Sequence, residues 1–288
     1  MKRHLFSFYH PAVIFLYFAG VIVLTMCTMH PFYILASYLC CSCYQIYLKG
    51  WRQYGKGLRF SLLVVVIITI ANSLFNSLGL SVLFYLGDSP ITLEAILYGL
   101  CCGGMLVCIF GWFSCYQEVM SNDKFLSLFG SILPTISMMI AMVFRYIPDT
   151  IRRSKEIEAA QKALLGGKTT DKKERIRQGI RLSSILMSWS LENSIETADS
   201  MRSRGYSFTK RSHYCHERLS SRDVLSLLIL SILIVLSCLV IFLRANTILF
   251  YPFIMNLWEA AGIFLIPYLL FMLYPLLLQA KEVFFWRR

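Results

Sequence analysis

Four side chains able to hold a metal fall within five residues in His213-Tyr214-Cys215-His216-Glu217. A zinc site needs a second ligand group at loop spacing. None lies near this one, so an exposed polar connector is the expected reading. The run Cys40-Cys41-Ser42-Cys43 lacks the same partner group. These cysteines, with Cys27, Cys101, Cys102, Cys108 and Cys238, fall inside apolar runs. There a free thiol packs as a small hydrophobe. No metal site and no resident cofactor is expected. The phosphate-binding G-x-x-x-x-G-K-[ST] pattern is absent, as are H-E-x-x-H and G-x-S-x-G. Glu94 and Glu259 stand at the edges of apolar segments, where water or head groups would solvate them. A carrier driven by protons or ions needs carboxylates near the bilayer midplane. Asn72 and Asn76, one turn apart, suit interhelical hydrogen bonds. The remaining group is cationic. In Glu196–Phe208, ETADSMRSRGYSF, Arg202 and Arg204 flank the end of a helix that stops at Gly205. Cations are stable beside the negative C-terminal dipole, and guanidinium forks match carboxylates on another protein.

The elements that position this tip are mostly membrane helices. Of 288 residues, 57% are hydrophobic and 15% charged, and the mean hydropathy is +0.61. No soluble domain of this size hides that much apolar surface. The formal net charge is +12, which basic cytoplasmic loops explain without nucleic acid. Segments near the length of about 20 residues needed to span a bilayer are Pro11–Cys27, Pro31–Leu48, Phe60–Leu80, Ile91–Trp112, Val224–Leu243 and Ala260–Leu278. Phe125–Phe144 is a seventh candidate, broken by Gly130 and Pro134. Loop charge decides against it. Lys2 and Arg3 place the N-terminus inside, Lys49, Arg52, Lys56 and Arg59 follow the second span, and Gln117–Asp223 holds most other cations. A seventh span would put Lys124 and the Arg152–Arg181 run on opposite sides. Six spans leave Arg244 as the one cation in an outside loop and both termini in the cytoplasm. The expected fold is an all-α integral membrane protein. It has about six transmembrane helices, two long cytoplasmic helices and a short interfacial helix at Phe125–Pro134.

The polar region has a plan. Thr135–Gly166 reads as a long, mostly cytoplasmic helix rising against the bundle and stopping at Gly166-Gly167. Lys168–Gly179, KTTDKKERIRQG, reads as a linker. A second helix runs from about Ile180 to Arg204. Glycine past the last turn and basic residues within it are the C-terminal signature. Leu182, Ile185, Leu186 and Trp189 form one apolar stripe, and Leu191, Ile195 and Ala198 another. Two faces suit a helix that contacts two things. The expected division is 1–116 as an N-terminal membrane bundle, 117–221 as the cytoplasmic region, and 222–288 as the last spans and a basic tail.

ETADSMRSRGYSF resembles the Ala-Arg-Gly type motif of the transmembrane component of energy-coupling-factor transporters, which are ABC-type importers of vitamins and transition metals. FRYIPDTIRRSKEIEAAQKA, Phe144–Ala163, is similar to that family's R-[FY]-[IV]-P segment running into an E…A-Q helix. SPITLEAILYGL at Ser89–Leu100, Ser7–Phe32 and SRDVLSLL at Ser221–Leu228 resemble further stretches in the family's order. The resemblance covers nearly the whole chain. It departs at the tips. The second tip has Ser203 where alanine is usual but keeps Arg204 and Gly205. The first reads Ala163-Leu164-Leu165-Gly166, without arginine and with the glycine one residue late.

The resemblance implies a non-catalytic scaffold in a bacterial inner membrane. Two cytosolic ABC ATPase subunits, which would carry ATP and magnesium, would each receive one tip. A small substrate-binding membrane subunit would pack beside the scaffold, and no nucleic acid is involved. Arg204, Gly205, Ser203, Arg202 and Met201 would form the ATPase-contacting tip, with Arg204 bonding a carboxylate. Ala163, Leu164, Leu165 and Gly166 would make a hydrophobic contact. Arg145, Pro148, Gln161 and Glu196 would support the coupling helices. Two other classes compete. A membrane-embedded enzyme would use His213–His216, and a conventional ABC permease would dimerise and use one coupling helix per half.

Overall fold

The computed structural model describes residues 6, 9–76, 79–86, 89–130, 133–164, 172–206, 208, 219–243 and 265–286. The described chain is an all-α membrane protein with one small hairpin. Its helices are α1 (Pro11–Met26), α2 (Pro31–Lys49), α3 (Trp51–Phe75), α4 (Leu93–Val119), α5 (Asn122–Gly130), α6 (Pro134–Leu164), α7 (Lys172–Ser203), α8 (Ser221–Leu243) and α9 (Ile266–Trp286). Strands β1 (Val82–Leu86) and β2 (Ser89–Thr92) pair antiparallel between α3 and α4. Among the described residues, α3, α4 and α8 are long and apolar enough to cross a membrane. Pro11–Met26 and Ile266–Gln279 are shorter apolar helices. The seventh candidate, Phe125–Phe144, is split between α5 and the start of α6. Residues 126–216 form one compact unit; 1–125 and 217–288 form the other.

In the membrane unit, two helices begin with the same device. His10 and His30 each precede a proline at the first helical position, and each Nδ1 accepts a backbone N–H two residues on. The distances are 3.2 Å from Ala12 and 3.3 Å from Phe32. Proline lacks the N–H that a first turn would leave unpaired, and the imidazole satisfies the next donor. α4 lies against α1, α2 and α3. The glycines of Gly99-Leu-Cys-Cys-Gly103 allow the close approach to α3. A methyl group on Gly99 would sit 3.0 Å from the Thr69 Cα, and one on Gly103 3.1 Å from the Val65 Cα. Small residues four apart are how apolar helices bring their backbones together in lipid.

The core of this unit is aromatic. Tyr17, Trp112, Tyr44, Phe271, Tyr33 and Tyr268 are buried. Tyr17 meets Trp112 edge-on at 6.1 Å and Phe271 at 5.4 Å, and Tyr33 meets Tyr268 at 5.1 Å. Such geometry sets positive ring edges against negative faces. Two of their polar ends find partners across helices. The Tyr17 hydroxyl donates to the Met272 carbonyl at 2.9 Å, and Trp112 Nε1 donates to Ser37 Oγ at 3.0 Å. These bonds tie α1 to α9 and α4 to α2.

Three expectations are corrected here. α3 starts at Trp51, not Phe60, because Arg52, Gln53, Lys56 and Arg59 are good helix formers and carry the helix into the polar segment. It also stops at Phe75, five residues early, where Asn76 turns extended with φ −122° and ψ 102°. The following Val-Leu-Phe-Tyr-Leu run is β-prone and pairs with β2. Third, Glu94 is not solvated. It is 2% exposed in the first turn of α4, and its Oε1 accepts the Ser81 N–H at 3.3 Å. A methyl group on Gly79 would come within 2.8 Å of Glu94 Oε2 and Thr92 Oγ1, and the φ of +144° there suits glycine alone. The cysteines divide. Cys40, Cys41, Cys101 and Cys108 are buried, Cys102 is half-buried, and Cys27, Cys43 and Cys238 lie on the surface of the chain. Glu259 and Arg244 lie outside the described residues.

The asparagine pair behaves as an interhelical element at one position. Asn72 Nδ2 donates to the Ala95 carbonyl of α4 at 2.8 Å, while Asn76 caps the end of α3. Asn72→Leu is expected to lower thermal stability only modestly. Interhelical hydrogen bonds in bilayers average about 0.6 kcal/mol. A melting curve in detergent or lipid discs checks the size.

Candidate functional site

The second unit is built on α6 and α7. α6 spans 31 residues and α7 32, so each is roughly 45–50 Å long at 1.5 Å per residue. α7 begins at Lys172, eight residues before the expected Ile180. Lys, Arg, Glu and Gln have high helix propensity, and the single Gly179 does not break the run. The stretch read as a linker is therefore largely helix.

Two contacts fix the pairing of the helices. The Tyr146 hydroxyl and Thr197 Oγ1 are hydrogen-bonded at 2.7 Å. The Arg153 guanidinium lies 4.3 Å from the centre of the Trp189 ring, a cation–π contact. From the first contact to the second the chain advances along α6 and retreats along α7, so the helices are antiparallel. The half-buried residues of α7, Leu182, Leu186, Trp189, Asn193, Thr197 and Met201, recur at helical spacing on the side of these contacts. Ile185, expected in that stripe, is exposed, as are Leu191, Ile195 and Ala198 of the second stripe. On α6, Lys162 approaches Glu158 at 2.7 Å, one turn away. That hydrogen bond and charge hold the exposed Glu158 carboxyl below its usual range.

The α7 tip is closed by a Schellman motif. Gly205 has φ +81°. Its N–H donates to the Arg202 carbonyl at 3.0 Å, and the Tyr206 N–H donates to the Met201 carbonyl at 3.1 Å. These bonds satisfy carbonyls that the helix end would leave unpaired. Met201 and Tyr206 are half-buried, while Arg202, Ser203, Arg204 and Gly205 are exposed. Ser203 Oγ donates back to the Ser200 carbonyl at 2.9 Å. The two guanidinium groups thus stand on a fixed, solvent-facing corner. Substituting Gly205→Ala would place an L-residue in the left-handed region at about 1–2 kcal/mol. The amides of Tyr206 and position 205 are expected to exchange hydrogen at least about fivefold faster, read by mass spectrometry.

The other sequence-selected residues fall along the same pair. Ala163 and Leu164 end α6, with Leu164 87% exposed. Leu165 and Gly166 lie outside the described residues, as do His213–Glu217. Arg145 and Pro148 are exposed on α6, and Glu196 is exposed on α7. Pro148 sits inside α6 and leaves the Phe144 carbonyl without its usual donor. Gln161 is half-buried near the α6 end, and its Nε2 has no partner among the described residues. Since the helices are antiparallel, Leu164 and Arg204 mark opposite ends of the pair, about 40 Å apart along its axis. Among the described residues this framework presents two separated helix ends, with Ile185, Leu191, Ile195 and Ala198 of α7 exposed between them.

A family model described as cobalt transport protein, CbiQ, matches residues 7–214. The chain belongs to this family. The match runs from the first membrane helix through both long helices and past the α7 tip. The chain is therefore a transport protein's membrane component, of the transmembrane-component family that the sequence motifs resemble. No curated protein matches the chain. Sequence reasoning placed Trp189 in an apolar stripe but did not foresee its contact with Arg153 or the Tyr146–Thr197 bond, which register the two helices. Their signal was faint: a Tyr and a Trp on amphipathic helices, without any indication of which residue each would meet.

Proposed function

We propose that this chain is the transmembrane scaffold of an energy-coupling-factor importer. Two cytosolic ATPase subunits grip opposite ends of the α6–α7 pair, and the pair transmits their ATP-driven closure to a small substrate-binding membrane subunit. The observation that carries the reading is the separation of the two tips on one antiparallel helix pair. A pair with both tips at one end would serve a single partner. Arg204 sits on a corner fixed by Gly205 and bonds a carboxylate in one ATPase. Ala163 and Leu164, with no arginine, fill an apolar recess in the other. Arg145, Pro148, Gln161 and Glu196 set the shape and support of the helices between.

Catalysis belongs to the ATPases, which hold ATP and magnesium. The cargo is a vitamin or a transition-metal ion, and the description of the matching family supports the metal. Selection of that cargo rests with the substrate-binding subunit. The chain sits in a bacterial inner membrane with both termini in the cytoplasm, an orientation that its loop charges support. The test is co-purification of the tagged chain from its native membranes, with every retained polypeptide identified. Retention of ABC-type ATPases and a small, apolar membrane protein supports the reading. Recovery of the chain alone under mild detergent counts against it.

A further inference from the structure

The start of α7 is electrostatically odd. Its first ten residues, Lys172–Arg181, carry Lys172, Lys173, Arg175, Arg177 and Arg181 against one carboxylate, Glu174. All five cations are exposed. Lys172, Arg175, Arg177 and Arg181 make no ion pair with a described residue. The N-terminus is the positive end of a helix, where anions are stabilising and cations are opposed. This placement is unfavourable for α7 alone and becomes favourable against an anionic surface.

A second feature specifies the surface. Ile176 and Ile180, one turn apart, are 65% and 66% exposed. Lys172, Lys173 and Arg177 lie within about 80° of their mean direction, at 3.6 residues per turn. Met187 continues the same line and is 70% exposed. Gln178 lies on the opposite side, and with Leu182 and Leu186 it is half-buried. The cationic–apolar face is thus turned away from the α6-facing side. A basic amphipathic helix of this kind suits the boundary between head groups and acyl chains. An acidic protein surface would satisfy the cations and leave the isoleucines in water. Lipid takes both, because the lysine and arginine stems lie along the apolar layer while their heads reach phosphate.

We infer that the Lys172–Met187 face of α7 is a membrane-surface anchor that binds anionic lipid head groups. Its isoleucines enter the interface and its cations pair with phosphate. Each cation near an anionic leaflet is worth about a fivefold change in binding. The anchor works on the chain alone and does not depend on any ATPase.

The test is hydrogen exchange on the purified full chain in lipid discs of phosphatidylcholine, or of phosphatidylcholine mixed with phosphatidylglycerol. In the mixed discs the amides of 172–187 are expected to exchange at least about tenfold more slowly, with added salt reversing much of the effect. The triple variant Lys172→Gln, Lys173→Gln, Arg177→Gln retains helix-forming residues and loses the lipid-dependent protection. The pair Ile176→Gln, Ile180→Gln reduces it as well. Equal exchange in both discs overturns the proposal, as does protection that survives the triple substitution. Protection that appears only on adding ATPase subunits assigns the face to a protein and also overturns it. Because the ATPases are absent from the first arms, these results stand apart from the scaffold reading.

Discussion

Arg204→Glu is expected to weaken the grip of one ATPase on this chain by about 30-fold or more. Removing one partner of a desolvated interfacial ion pair costs about 2–5 kcal/mol, and charge reversal adds repulsion. The side chain is exposed in the free chain, so the fold has little at stake. Glutamate beside a helix C-terminus is unfavourable by about 0.3–1 kcal/mol. Arg202→Glu carries the same local penalty within the same tip, on another side of the helix, and shows how much of the loss belongs to Arg204 itself. Binding of purified ATPase to the chain in lipid discs measures both. A large loss with Arg204→Glu and a small one with Arg202→Glu fits a specific contact. Equal losses would reduce the tip to a general basic patch.

Gly103→Leu is expected to have the largest effect on the membrane unit. A methyl group at this position already comes within 3.1 Å of the Val65 Cα and 3.3 Å of its carbonyl oxygen. The obstacle is backbone, which cannot swing aside as a side chain does. The helices must separate, and the Asn72 bond to Ala95 between the same two helices would lengthen. Overpacking costs about 1–3 kcal/mol, and backbone contact points to the upper part of that range. The melting temperature in lipid discs should fall clearly further than with Asn72→Leu. Gly104→Ala is a useful comparison, since its methyl would meet a side-chain atom, Ile34 Cγ2 at 3.1 Å, rather than backbone.

Local features of the chain were the legible ones. Gly205 is read correctly as a helix stop because a left-handed cap is a property of a few consecutive residues. The break at Gly130–Pro134 and the interhelical role of Asn72 follow from local chemistry in the same way. Failures begin where a distant partner decides. Ser81–Thr92 holds a hairpin that closes over Glu94, and the burial of that carboxylate depends on the Ser81 amide reaching back to it. The starts of α3 and α7 were placed too late because charge suggested loops, whereas lysine and arginine are strong helix formers. Tyr17, Trp112 and Phe271 come from three separate helices, so neither their contact nor the α6–α7 register is written in any one segment. The tip residues were selected through family resemblance; without it Arg204 is one helix-end cation among many.

The most direct test of the scaffold is the mass of the intact complex, taken from native membranes in mild detergent, with and without Arg204→Glu. One copy of this chain with two ATPase chains and one small membrane protein is the composition the account predicts. The substitution should then release one ATPase and leave the other, held at the Leu164 end. Two copies of this chain in each complex would point to a conventional permease. A chain that emerges alone, with or without the substitution, would contradict the account outright.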